Sequence, residues 1–363
     1  MDGKLVLVDG HSILNRAFFG IPDLTNSEGL HTNAVYGFLN ILFKILDEEQ
    51  PDYLTVAFDV HAPTFRHKMY DAYKGTRKPM ADELRQQVPL MKEMLTAMGV
   101  TIVEKEGYEA DDLLGTIAKQ SEEQGLEVSI VSGDRDLLQL ASDHIKIRIP
   151  KTKRTGTEIE DYLAKDVVEK YQVTPLQFID VKALMGDSAD NIPGVPGIGE
   201  KTATALITAY GSIENAHDHL EEIKPNRAKQ NLSEHYDMAQ MSKELATIEI
   251  HAPIEYSLED AKLGNLFTEE AYLMCKRLEF KNMLSRFDID APKNLAEEHF
   301  TFVTDKKQIS DIFKKAKKAG HIGCCLLPGE GIITEQLSLF EQPKEQQVIE
   351  GTVSYTHLTL PTT

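Results

Sequence analysis

Apolar positions in the first half of the chain fall into two alternating rhythms. Short β-type runs, Leu5 to Val8, Tyr53 to Phe58, Val100 to Val103 and Val128 to Val131, are separated by longer stretches with helical spacing. Strands alternating with helices predict a mostly parallel α/β sheet flanked by helices. Between the first two runs, Val35, Phe38, Leu39, Leu42, Ile45 and Leu46 recur at helical intervals before Pro51. That stripe predicts a helix laid on the core. Residues 175–230 read as helical, interrupted by Gly194-Val-Pro-Gly197-Ile-Gly199, and residues 231 to about 290 as further helices. From Phe300 the pattern begins one β-α-β unit with a lysine-rich helix, and the last residues carry no periodicity. These shifts divide the chain into an α/β core at 1–170, a helical subdomain at 171–290, a linker at 291–299, a domain start at 300–350 and an unstructured tail at 351–363.

With 363 residues, 41% of them hydrophobic and 27% charged, the chain is long enough for two or three domains with real cores. No stretch reaches the roughly 20 apolar residues of a membrane span. Cys275, Cys324 and Cys325 lack metal-ligand spacing, which suits a reduced cytoplasmic compartment. The net charge of −19 argues against a nucleic-acid partner on average, because phosphates are bound through Lys and Arg. The bases nevertheless gather locally, in Arg66 to Lys78 and in Lys146, Arg148, Lys151, Lys153 and Arg154.

The acids are more informative than their number. Three predicted strands run into aspartates: Asp9, Asp59, and Asp134 followed by Asp136. Ligands of open parallel sheets bind outside the carboxyl ends of the strands, so these side chains are expected in one crevice. Glu109, Asp111 and Asp112 open the helix after the third strand, and Asp187 and Asp190 follow the apolar segment Phe178 to Met185. Any one of them alone is an ordinary turn former or helix cap. Nine at one end of a sheet repel one another unless cations intervene. An all-oxygen set without His or Cys points to two or more Mg2+ or Mn2+ ions rather than zinc, the usual clamp for phosphodiester cleavage.

Two further segments fit that chemistry. Phe65-Arg66 and Tyr73-Lys74-Gly-Thr-Arg77-Lys78 combine aromatics with cations, as single-stranded nucleic acid requires. The turn containing Gly194, Gly197 and Gly199, followed by Lys201 and Thr202, resembles a helix-hairpin-helix element, in which glycines let backbone amides approach phosphates.

The stretches LVDGHSILNRAFF, AFDVHAPTFRHKMYDAYKGTR, GYEADDLLGTIA, VSGDRDLLQL and ALMGDSADNIPGVPGIGEKTA occur in this order over about residues 1–290. Together they resemble the 5′ nuclease family found at the front of bacterial DNA polymerase I and akin to flap endonucleases. The resemblance implies a PIN-like core. It assigns Asp9, Asp59, Glu109, Asp111 and Asp112 to one metal region and Asp134, Asp136, Asp187 and Asp190 to another. Arg66, Tyr73, Lys74 and Arg77 would belong to a helical arch at about 62–90 that admits a single-stranded 5′ end, with Lys74 at the scissile phosphate. Gly194 to Thr202 would hold duplex DNA with K+. Lys74, Arg77, Asp111 and Asp134 are the expected catalytic residues. The implied substrates are DNA with a 5′ flap, nick or single-stranded 5′ end and RNA primer junctions, handled by a monomer during replication and repair. Residues 300–350 resemble the start of a 3′-5′ exonuclease-like domain, but Cys324-Cys325 stands where an acid pair is expected. Three rivals remain: a small α/β ribonuclease lacking arch and glycine turn, an inactive DNA-binding module, and a purely structural chain whose acids are caps and turns.

Overall fold

The computed structural model describes residues 3–153, 156–287, 305–319, 325–326 and 353–354. Its central feature is a six-stranded sheet in the order β3-β2-β1-β4-β5-β6. The strands are β1 (Lys4–Asp9), β2 (Tyr53–Ala57), β3 (Thr101–Val103), β4 (Glu127–Val131), β5 (Ile145–Lys153) and β6 (Gly156–Tyr162). The first five run parallel and β6 turns back antiparallel on β5. Parallel strands end at one edge, so the residues that follow β1, β2 and β4 face a common side of the molecule.

Helix α1 (Gly10–Gly20) starts directly on β1, capped by Asp9, whose carboxylate accepts the Ser12 amide. Gly10 permits this tight entry, because a Cβ there would lie 2.4 Å from the Phe58 ring. Helix α2 (Asn33–Glu49) follows the predicted stripe: Val35, Phe38, Leu39, Leu42 and Ile45 are all buried. Each such side chain contributes about 2 kcal/mol on leaving water. After β2 come α3 (Phe65–Met69), a turn, and α4 (Asp82–Ala97), and α5 (Ala110–Glu123) follows β3.

A 3-10 helix (Asp136–Leu140) follows β4. The hairpin β5–β6 was not among the predicted strands, although Ile145, Ile147 and Ile149 alternate with polar residues and are buried. The bases on it are engaged internally. Lys146 pairs with Glu49 at 2.6 Å, Arg148 with Glu48, Glu49 and Asp161, and Lys151 with Glu160. This corrects the reading of Lys146, Arg148 and Lys151 as a phosphate surface; the Lys153 side chain and Arg154 lie outside the described residues.

The helical layer holds α6 (Ala164–Tyr171), α7 (Pro175–Met185), α8 (Glu200–Tyr210), α9 (Ile213–Asp218), α10 (Asn226–Glu234), α11 (Tyr236–Ala246), α12 (Glu269–Arg277) and α13 (Lys281–Leu284). The start of α7 is written locally: Thr174 caps Gln177, Gln177 reaches back to Thr174, and Pro175 occupies the first turn, where a missing amide costs nothing. Helix α7 packs on α8, α11 and the 3-10 helix. Its Phe178, Val181 and Leu184 join Leu113, Ile117, Ile130 and Ile147 in one core cluster, so residues 1–287 form a single compact unit.

Residues 288–363 form a second unit. The linker at 291–299 lies outside the described residues. Within this unit Lys306–Ala319 is helical, and Cys325–Leu326 pairs with Val353–Ser354, which departs from a wholly unstructured tail. No described helix is long and apolar enough to cross a membrane.

Candidate metal centre

Four acids meet where β1, β2 and β4 end. Asp9 is buried, with one carboxylate oxygen accepting the Ser12 amide at 3.0 Å and the other the Ser132 hydroxyl at 2.8 Å. Asp59, more exposed, accepts the Ala110 amide at 2.8 Å, while its own amide donates to His11 Nδ1. Asp134 is held through its amide, which donates to Ser132 Oγ at 3.0 Å, and its carboxylate accepts the Asp136 amide. Asp111, in the first turn of α5, keeps one oxygen buried without a hydrogen-bond partner. Burial and the neighbouring Asp59 and Asp134 push the Asp9 carboxyl up to about 7, against the pull of the Ser12 and Ser132 donors. Burial, then Asp9, Asp134 and Asp59, hold Asp111 well above the usual carboxylate range.

A second group adjoins it. Lys182, projecting from α7, lies 2.9 Å from Asp136 and 2.5 Å from Asp187. The two acids respond in opposite directions. Asp136 is pushed up to about 7, since burial and Asp134 outweigh Lys182. At Asp187 burial acts the same way, but Lys182 and backbone donors prevail and lower it.

The third group is built by the turn after α3. Lys74 sits in the left-handed region at φ 54°, a conformation that costs a non-glycine residue energy unless its surroundings hold it. The holding contacts are present: the Lys74 amide donates to the Asp190 carbonyl at 2.8 Å, and its ammonium meets Glu109 at 2.7 Å and Asp190 at 3.8 Å. Arg77 pairs with Asp190 and stays half-exposed.

Four expectations are corrected here. Arg66 is 3% exposed and grips the fully buried Asp112 with two 2.8 Å hydrogen bonds, while also donating to the Leu245 and Thr247 carbonyls. Four of its five N–H donors are thereby used, Nη1 also lies 3.7 Å from Glu109, and so buried a side chain offers no surface to DNA. Asp112, which also accepts the Glu109 and Glu249 amides, has its oxygens committed away from any metal. Tyr73 is 3% exposed and its hydroxyl donates to Glu109 or Asp190, so no ring face is offered to a base. Gly194, at φ 63°, is buried against Gly186 and gives its amide to Ser242. Gly197, Gly199 and Lys201 are exposed, and Thr202 is half-exposed, at the start of α8.

Two connected openings display the acids. One, of about 420 Å3, is lined by Asp9, Asp59, Lys74, Glu109, Asp111 and Asp134. The other, of about 710 Å3, is lined by Arg16, Arg77, Asp134, Asp136, Lys182 and Asp187 among others. Asp134 faces both, so it joins the two expected metal regions rather than belonging to the second alone. Among the described residues no three His, Cys, Asp or Glu side chains are grouped closely enough, as they stand, to hold a metal ion. The acids still lie near enough to raise one another's proton affinity. The orphaned Asp111 oxygen and the all-oxygen donor set fit a hard divalent cation.

Sequence reasoning missed Lys182, Ser132 and Ser12. Ser12 carried no sign in its side chain, since Asp9 caps through the backbone amide at that position, which any residue but proline supplies. Lys182 carried none beyond its place near Asp187.

A parallel sheet with acids at its strand ends, joined to a helical layer with a glycine turn, defines a nuclease of the α/β class. Residues 4–172 match the 5′-3′ exonuclease, N-terminal resolvase-like domain, and residues 173–269 match the 5′-3′ exonuclease, C-terminal SAM fold. The chain belongs to the 5′-3′ exonuclease family. It is 47% identical to DNA polymerase I of Bacillus caldotenax over 304 residues, 83% of this chain and 34% of that protein. It thus spans about a third of the length of the curated relatives it matches. The fold also resembles T5 5′-exonuclease with bound zinc, at a TM-score of 0.56 and 23% identity over 76% of this chain and 98% of that one. The catalytic core of Rad2 in complex with DNA substrate aligns at a TM-score of 0.54 and 15% identity, over 80% and 93% of the two chains.

Proposed function

We propose that the chain hydrolyses phosphodiester bonds in DNA near a free 5′ end, as an exonuclease and flap endonuclease, using divalent cations held by the strand-end acids. The observation that carries this reading is the buried, unpartnered Asp111 oxygen beside Asp9, Asp59 and Asp134. Asp9, Asp59, Asp111 and Asp134 would hold one ion. Glu109 lines the same opening, and Asp136, Asp187 and Asp190 line the adjoining one, with Asp134 shared. When bound, Mg2+ or Mn2+ supplies Lewis acidity that acidifies water and offsets charge on the phosphate.

The protein's own residues supply the remainder. Lys74 and Arg77 bring positive charge to the rim of the acid-lined opening, where they can meet a phosphate once released from Glu109 and Asp190. Gly197, Gly199, Lys201 and Thr202 present the start of α8, whose dipole favours a duplex phosphate, and K+ would accompany the phosphate there. Rad2, of the same fold, is known in complex with DNA, which supports the partner assignment. Primer junctions, a monomeric state and a cytoplasmic site of action complete the proposal.

The test is a Mg2+ titration on 5′-labelled flap DNA with the full chain. Release of the labelled flap with a 3′ hydroxyl, leaving a 5′ phosphate on the duplex strand, dependent on the metal and abolished by chelation, is the expected result. DNA binding without cleavage at any Mg2+ or Mn2+ concentration would favour the inactive-module reading.

A further inference from the structure

Ser132 is fully buried, and both hydrogen-bonding capacities of its hydroxyl are used. Its proton goes to Asp9 Oδ2 at 2.8 Å, and its oxygen accepts the Asp134 amide at 3.0 Å. One side chain at the end of β4 thereby joins two acids from different strands. The reciprocal contact comes from Ser12, whose amide donates to Asp9 Oδ1 at 3.0 Å and whose hydroxyl accepts the Gly133 amide at 2.9 Å. A Cβ on Gly133 would come within 3.1 Å of that hydroxyl, so the loop is drawn close to α1.

The consequence is directional. Each Asp9 oxygen spends one lone pair on a fixed donor and retains another. The Asp134 carboxylate is tethered on one side by the Asp136 amide, leaving its other oxygen uncommitted among the described residues. The two residual faces open on the same 420 Å3 space.

We propose that Ser132 is a positioning residue: its hydroxyl orients Asp9 and Asp134 together, so that both present their remaining oxygens to one divalent cation. The inference rests on the metal-dependent reading above. Ser132 itself touches neither substrate nor ion, and it acts as donors behind metal ligands do, by fixing orientation.

The experiment is calorimetric titration of the full chain with Mn2+, for the native protein and for Ser132→Ala, Ser132→Thr and Ser132→Val, alongside thermal melts and Mg2+ dependence of cleavage. Loss of such a supporting donor typically weakens metal affinity by about tenfold or more. Ser132→Ala should show that weakening, and Ser132→Thr should bind Mn2+ within about twofold of native. Threonine and valine differ only by hydroxyl against methyl, so this pair gives the same comparison if alanine leaves too little folded protein. Cleavage by the hydroxyl-lacking variant should recover toward the native rate as Mg2+ is raised. A folded Ala or Val variant that binds Mn2+ like the native protein, whatever its melting temperature, overturns the proposal. So does a Thr variant as weak as Ala. Native protein that binds no Mn2+ sinks the metal-dependent reading and the proposal together, whereas native binding with an unaffected Ala variant sinks the proposal alone.

Discussion

Two neighbouring groups of carboxylates at the same edge of the sheet solve the same electrostatic problem differently. Around Lys182, Lys74 and Arg77 the protein supplies its own cations: Asp136 and Asp187 share one ammonium, and Glu109 and Asp190 share another. Around Asp9, Asp59, Asp111 and Asp134 no Lys or Arg ion pair forms among the described residues; His11 lies 3.6 Å from Asp59, and Lys74 acts on Asp111 only as a charge beyond ion-pair distance. There the imbalance shows as protons held, with Asp9 near 7 and Asp111 well raised by burial, whereas Lys182 lowers Asp187 but leaves Asp136 also near 7. The difference teaches where an external cation has most to offer. A site already neutralised by lysine must exchange one cation for another, whereas the uncompensated site gains a counter-charge it lacks.

The largest effect should come from removing charge where it is uncompensated. Asp111→Asn keeps side-chain shape and should lower Mg2+-dependent flap cleavage by about 1000-fold, through loss of a ligand to the Lewis acid. The same change should raise the melting temperature of the metal-free protein, because a buried, repelled carboxylate becomes neutral. Near-native cleavage by a folded Asp111→Asn protein would remove the contrast between the two groups.

Lys74 tests the compensated side. Lys74→Ala should slow single-turnover cleavage by about 100-fold, as for loss of a preorganised charge-stabilising donor, and it leaves the left-handed backbone at φ 54° as costly as before, because alanine keeps the Cβ. An unchanged single-turnover rate would confine Lys74 to neutralising Glu109 and Asp190. Lys182→Met asks the complementary question. With Lys182, Asp136 and Asp187 each under a fifth exposed, losing the shared ammonium should cost about 2 kcal/mol, or roughly 5 °C in melting temperature. Added Mg2+ should restore much of it. A melting temperature equal to native without metal would show that Lys182 balances nothing.

The difference between the groups was only half legible in the sequence. Strand-end aspartates could be read because a parallel sheet brings its carboxyl ends together, and the α2 stripe because its period is helical. What the sequence concealed was pairing at a distance. Arg66 and Asp112 lie 46 positions apart, and only packing against α11 turns a basic arch residue into a buried tie. Lys146 and Arg148 resembled a phosphate surface until the β5–β6 hairpin set them against Glu48 and Glu49. The hairpin's apolar alternation was readable, but its charges attracted the functional reading first.

The smallest effect follows from proton linkage and sets Asp187 apart from the raised acids Asp9, Asp111 and Asp136. Asp9 and Asp111 carry raised pKa values in the fold, so the folded state keeps protons that an unfolded carboxyl releases near 4. Their penalty is absent at low pH, grows as pH rises above about 4, and for Asp9 is complete above about 7. Asp187 is lowered, chiefly because Lys182 overcomes burial, so its contribution is present at neutral pH and fades as pH falls through the acidic range. Between pH 5.5 and 8 the raised acids Asp9, Asp111 and Asp136 therefore dominate the slope. The metal-free protein should lose a few degrees of melting temperature over that interval, and the stabilisation added by saturating Mg2+ should widen, because the ion displaces protons from its ligands. In Asp111→Asn the metal-free slope should flatten. Parallel melting curves with and without Mg2+ across this range would show that the buried acids at the strand ends do not couple proton loss to cation binding.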